Sequence, residues 1–194
     1  ANVTQAGNGV SALVIQSGDL QQAYVNQGAG SSNSDATISQ SGADNWAHSS
    51  QNGSNNSATV NQSGANMAGV PSADAPPPGY QGAVSNYAIV SQTGDNSVAA
   101  INQTGNNRAS VSQGYAPGND QRAYINQSST PATGAENGAF VTQRGTNIQT
   151  NIDQSGGSEN RASVDQEVTH NSTVDIDQSG SQNLAVADQS GASN

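Results

Sequence analysis

No cysteine and no lysine occur in the 194 residues, and Phe, Trp and Met occur once each. Without cysteine there are no disulfide staples, although the compartment stays open because secreted proteins need not use them. Without lysine, Arg108, Arg122, Arg144 and Arg161 are the only fixed cations against 14 acids, for a net charge of −10. That balance argues against nucleic acid as a partner and against an anionic membrane. No run approaches the roughly 18 apolar residues of a membrane span, so no membrane insertion is expected. The stretch Ala1 to Gln5 lacks the basic and apolar regions of a signal peptide, so a secreted chain is expected here in its mature form. A chain that is 31% hydrophobic with so few large side chains cannot fill a conventional two-layer core. Low hydrophobicity and negative charge resemble disorder, yet only 9% of residues are charged and the apolar ones recur at a fixed period, which favours an ordered repeat.

What is present is one module, clearest at Asn86 to Asn96, with the pattern N-x-A-x-V-x-Q-x-G-x-x. Its Gln recurs as Gln5, Gln16, Gln27, Gln40, Gln51, Gln62, Gln81, Gln92, Gln103, Gln113, Gln127, Gln143, Gln154, Gln166, Gln178 and Gln189, which makes 16 modules. Eight of the 15 intervals are 11 residues, and most others are one to five residues longer, as insertions confined to corners would make them. With Val70 taken for the interrupted seventh module, Val or Ile stands two residues before the Gln in 14 of the 16, with Ser49 and Ala187 as the exceptions, and Ala stands almost throughout at four before. Alternation of this kind predicts a strand, and a single β-branched residue beside Ala predicts two sheets packed close together.

The corner carries Gly at its second position in 11 modules, namely Gly7, Gly18, Gly42, Gly53, Gly64, Gly94, Gly105, Gly145, Gly156, Gly180 and Gly191. Only Gly takes φ > 0 there without steric cost. Two modules make a coil of about 22 residues, and coils stack at ~4.8 Å. The expected fold is therefore all-β: a β-solenoid of about eight two-strand coils in two close-packed parallel sheets, one domain over residues 1–194, about 40 Å long. Pro71 to Tyr80 interrupts the pattern, and since Pro cannot donate to a ladder, 71–80 is expected to leave the sheet as a loop. Smaller excursions are expected at Tyr115 to Asp120 and at Ser128 to Glu136. The seven aromatic residues (Tyr24, Trp46, Tyr80, Tyr87, Tyr115, Tyr124 and Phe140) are expected outward or in turns, because none fits an Ala/Val interior.

The module Gln and the residue six before it share the inward face, the latter being Asn at Asn45, Asn56, Asn86, Asn107, Asn137, Asn160 and Asn183. Buried amides are costly unless every donor and acceptor is paired, and stacking pairs them, each donating to the next coil and accepting from the previous one. A regular stack leaves unpaired strand edges at both ends. Ala1 and Val3 already hold module positions and Asn194 falls at the next module's Asn position, so with an even number of modules a second copy is expected to continue the solenoid. Two seven-residue strands would add roughly 14 backbone hydrogen bonds, on the order of 10 kcal/mol.

His48 on a strand and His170 in a corner do not converge with a nucleophile or with other ligands, so neither catalysis nor a metal or cofactor site is expected. Asp153, Asp165, Asp177 and Asp188 each precede a module Gln, with modules two apart on one sheet. Stacked like charges would oppose assembly, which marks these four as candidate gatekeepers.

The stretch from Gln51 through Gly53, Asn56, Ala58 and Val60 to Gln62 resembles the curlin repeat of bacterial curli fibres, as does that from Gln103 through Gly105, Ala109 and Val111 to Gln113. The resemblance extends over nearly the whole chain. It implies a left-handed solenoid and a homopolymeric, extracellular functional amyloid of the biofilm matrix. The implied partners are a nucleator subunit, a secretion pore and a periplasmic chaperone. The alternatives are a monomeric solenoid adhesin or surface-binding module, and the minor nucleator subunit of such fibres.

Overall fold

The computed structural model describes residues 1–64, 86–114, 120–129 and 136–191. Strands account for all of the regular structure among these residues: β1 (Asn2–Gln5), β2 (Ser11–Asp19), β3 (Gln22–Gln27), β4 (Asp35–Ala43), β5 (Asn45–Gln51), β6 (Ser57–Gly64), β7 (Asn86–Gln92), β8 (Val98–Thr104), β9 (Asn107–Gln113), β10 (Gln121–Ser128), β11 (Asn137–Thr146), β12 (Ile148–Ser155), β13 (Arg161–His170), β14 (Thr173–Ser179) and β15 (Leu184–Ser190). Odd-numbered strands form an eight-stranded sheet and even-numbered strands a seven-stranded one, each in sequence order. All pairings are parallel, and the chain changes sheet at every corner, which is a β-solenoid.

Alternation sets the interior. In β7, Asn86, Ala88, Val90 and Gln92 are buried while the residues between them are half-buried. Register then aligns like with like: Val25, Ser49, Val90, Val111, Val141 and Val164 form one column, and Ile38, Val60, Ile101, Ile125, Ile152 and Ile176 the facing one. With Ala columns beside them, these side chains make one continuous thin core. The close approach of successive corners explains part of the Gly requirement. Gly42 has φ 94°, and a Cβ there would overlap the carbonyl oxygen of Gly64.

The strand count corrects one expectation. β5 pairs directly with β7 and β6 directly with β8, so the strand of Gln51 neighbours that of Gln92 and the strand of Gln62 neighbours that of Gln103. Fifteen strands stand in the described residues, not sixteen. Gln81 and the expected Pro-rich loop at 71–80 lie outside the described residues, as do most of the two smaller excursions. Fifteen is odd, so β1 and β15 lie in the same sheet. A copy following with β1 against β15 would leave the seven-stranded sheet one strand short at the junction, which an even count would have closed.

Trp46 is the second correction. It faces outward, as its parity requires, yet is only 3% exposed. Its ring stacks on Tyr87 at 4.6 Å with planes 10° apart, and Tyr24 and His48 each stand 6.0 Å from it. Arg108 then lies over Tyr87, 5.4 Å from the ring centre. Stacking down a column of a parallel sheet buries a ring that alternation alone places in solvent.

Candidate functional site

The feature that runs the length of the molecule is the inward glutamine row of each sheet. In the eight-stranded sheet Gln5 donates from Nε2 to Oε1 of Gln27 (2.8 Å), and the chain of donations continues through Gln51, Gln92, Gln113, Gln143, Gln166 and Gln189 at 2.8–3.0 Å. In the seven-stranded sheet it runs from Gln16 through Gln40, Gln62, Gln103, Gln127 and Gln154 to Gln178 at 2.7–3.0 Å. Neither row is interrupted. In Gln27, Gln40, Gln51 and most of the rungs that follow, the second Nε2 hydrogen reaches across the core to a backbone carbonyl of the facing sheet. Gln62 donates to Trp46 O, Gln103 to Tyr87 O and Gln127 to Arg108 O, at 3.0–3.1 Å. This crosslink fixes which way each amide points, since a flipped amide would set Oε1 against a carbonyl oxygen. Every rung therefore donates in the same direction along the axis, and the rows hold the two sheets together.

The asparagine row behaves differently. Asn45, Asn86, Asn107, Asn137, Asn160 and Asn183 all stand in the eight-stranded sheet's corner row, and only Asn56 stands in that of the seven-stranded sheet. Their bonds run the opposite way. Asn86 donates to Asn45 Oδ1 at 2.9 Å, Asn183 Nδ2 to Asn160 Oδ1 at 3.0 Å, and the Asn160 backbone N–H to Asn137 Oδ1 at 3.1 Å. The seven-stranded sheet has Ser34, Ser97, Gln121, Ile148 and Ser172 where the module would place Asn. Among the described residues, Ser97 Oγ, Gln121 Oε1 and Ser172 Oγ are buried without a hydrogen-bond partner. Ile148, between Gln121 and Ser172, has nothing to offer either of them.

Of the corner glycines, Gly18, Gly42, Gly53, Gly105, Gly156, Gly180 and Gly191 have positive φ. The sequence reading missed a second left-handed position, immediately before the residue six ahead of the module Gln, held by Leu20, Asn33, Asp44, Asn55, Asn96, Asp120, Asn147, Glu159, Asn171 and Gln182. The signal was available, since Asn and Asp tolerate φ > 0 better than other side chains and recur there. Also missed was Thr150, in an Ala position, which accepts from Gln143 (3.1 Å) and donates to Gln166 (2.8 Å) across the core. Outside, Asn61, Asn102 and Asn126 form a further ladder with 2.8 Å bonds.

The acids sit as follows. Asp153 pairs in register with Asp177, and Asp165 with Asp188, all four exposed, so each pair occupies adjacent rungs. Asp44 is buried in its corner, and that burial, reinforced by Asp19, pushes its carboxyl above the usual carboxylate range. Burial also raises Glu136, partly offset by Arg108, and lowers His48. Among the described residues no group of three or more His, Asp or Glu side chains gathers as a metal site.

The outer edges of β1 and β2 at one end of the stack, and of β14 and β15 at the other, face no strand of the described chain. Two stretches, residues 32–64 and 169–194, match the family model of the curlin associated repeat. No curated protein and no solved structure matches the chain.

Proposed function

We propose that this chain, which belongs to the curlin family, is a structural subunit that stacks head to tail into extracellular amyloid fibres serving a biofilm matrix and adhesion. The observation that carries this reading is the pair of unbroken glutamine rows reaching both terminal coils with one donor direction. A copy added at either end in the same orientation extends the backbone ladder and the glutamine row of the eight-stranded sheet, with one rung of the seven-stranded row left open at the junction, whereas a reversed copy sets donor against donor or acceptor against acceptor. Stacking begins with β1 of one copy on β15 of another, because both belong to the same sheet. The residues are those of a scaffold, not of an enzyme. A nucleator subunit, a secretion pore and a periplasmic chaperone complete the family's scheme.

Asp153 with Asp177 and Asp165 with Asp188 act as gatekeepers in this reading. Like charges in register on neighbouring strands oppose pairing, and hold the C-terminal coils back until a partner edge arrives. Replacing all four with Asn should shorten the lag before fibres appear; an unchanged lag would remove them from the scheme. The function itself is tested by incubating the purified chain and following thioflavin fluorescence and electron micrographs. Denaturant-resistant fibres are expected, and a persistently soluble monomer would favour a solenoid adhesin instead.

A further inference from the structure

On the outer face of the eight-stranded sheet, the column nearest the corner runs Gln22, Trp46, Tyr87, Arg108. Rings on neighbouring rungs cover the flanks of Trp46, and Arg108 covers the far side of Tyr87. One group in this cluster is left unserved. Trp46 Nε1 is buried and has no hydrogen-bond partner among the described residues. An indole N–H only donates, and a buried one that donates to nothing has lost its water for no return. The strands of Trp46 and its neighbours have their carbonyls engaged along the ladder, so an acceptor has to come from above the sheet.

Connectivity says what chain lies at hand. β6 ends at Gly64 in the seven-stranded sheet and β7 begins at Asn86 in the eight-stranded one. Asn86 is in register with Asn45, so residues 65–85, which lie outside the described residues, rejoin the sheet one residue before Tyr87 and one strand from Trp46. They include Pro76, Pro77 and Pro78 in succession. Consecutive prolines favour the polyproline II form, which makes no internal hydrogen bonds. Its carbonyls are free to accept and its rings pack on aromatic side chains. Neighbouring strands are ~4.8 Å apart and an extended residue spans ~3.3 Å, so the stretch between Pro78 and Asn86 reaches past Trp46 with chain to spare. We propose that the Trp46–Tyr87 face is a docking site for a polyproline segment. Its occupant is Pro76 to Pro78 of the same chain, with a carbonyl of that segment accepting from Trp46 Nε1. The proline-rich insertion is then bound to the side of the rod, where it keeps the aromatic face from other molecules. The proposal rests on the coil order within one chain and not on the fibre reading.

Trp46 is the only tryptophan, so its indole proton gives a single magnetic resonance signal in the freshly dissolved native chain. That proton should exchange slowly and show contacts to proline ring protons, undiminished on dilution. Fast exchange or no proline contact would overturn the proposal, and contacts that fade on dilution would give the site to a second copy and overturn the same-chain assignment. A second measurement uses a labelled synthetic peptide of residues 73–80. A Pro76→Ser, Pro77→Ser, Pro78→Ser variant has the site vacant and should bind the peptide saturably, whereas the native chain, with its site filled, should bind it far more weakly. Adding Trp46→Phe to that variant keeps a ring and removes the donor, and should weaken the peptide about tenfold, the worth of one hydrogen bond. Equal binding by the native chain and the triple variant, or binding indifferent to the indole N–H, would overturn the proposal. If the triple variant fails to fold, the native-chain signal still decides.

Discussion

The two sheets share a module but not a corner. Both keep an unbroken glutamine row, whereas the asparagine row is nearly complete in the eight-stranded sheet and reduced to Asn56 in the seven-stranded one, where Ser, Gln and Ile stand in its place. The difference separates two tasks that the repeat pattern merges. Glutamine amides bond along their own sheet and across to the facing backbone, so they are needed on both sides of the core. Asparagine amides bond chiefly along the stack and to their own corner, and a corner closed by backbone hydrogen bonds can do without them.

Five substitutions bear on that contrast, from the largest effect to the smallest. Gln92→Ala and Gln103→Ala should cost the same, about 3–5 kcal/mol in denaturant unfolding, because each leaves buried donors and acceptors of both neighbours unpaired. A clearly smaller loss in one sheet would show that the rows are not equivalent. Asn86→Ala should cost about 2 kcal/mol, whereas Ser97→Ala should be close to neutral, since Ser97 Oγ has no partner to lose among the described residues. Equal costs would erase the distinction between the corners. Ser49→Val should stabilise by about 1–2 kcal/mol, replacing a buried hydroxyl that has no partner among the described residues with the side chain that occupies its column above and below at Val25 and Val90.

The pH dependence of Asp44 is the smallest effect. Its carboxyl titrates higher folded than unfolded, so the folded state holds the proton more tightly. Stability is then greatest below the unfolded value near 3.8 and falls as pH rises through the higher folded value. Asp44→Asn should flatten that part of a stability–pH profile and raise stability modestly at neutral pH; a profile unchanged by the substitution would mean the corner does not penalise the charge.

Much of this was legible in the sequence. Alternation of Ala, Val and Gln fixes which residues face inward, and the near-constant interval fixes the register, so the core columns and both glutamine rows follow from spacing alone. The strand count followed less closely, since spacing marks sixteen modules, the one of Gln81 lies outside the described residues, and fifteen strands stand in the rest. Trp46 was misjudged because alternation describes one strand at a time, while its burial comes from rings on neighbouring rungs. The split between the two corners was hidden for a related reason. Successive modules belong to different sheets, so an Asn row that is regular in one sheet reads along the chain as a row with scattered exceptions.

The central claim is that the terminal strands are interior strands awaiting a partner. Hydrogen exchange read strand by strand tests it directly, comparing freshly dissolved chain with aged, assembled chain. In the fresh protein β1, β2, β14 and β15 should exchange fast and β7 to β10 slowly. After assembly the terminal amides should be protected to the level of the inner strands. Terminal strands that still exchange fast in the assembled material would mean that the copies are joined elsewhere.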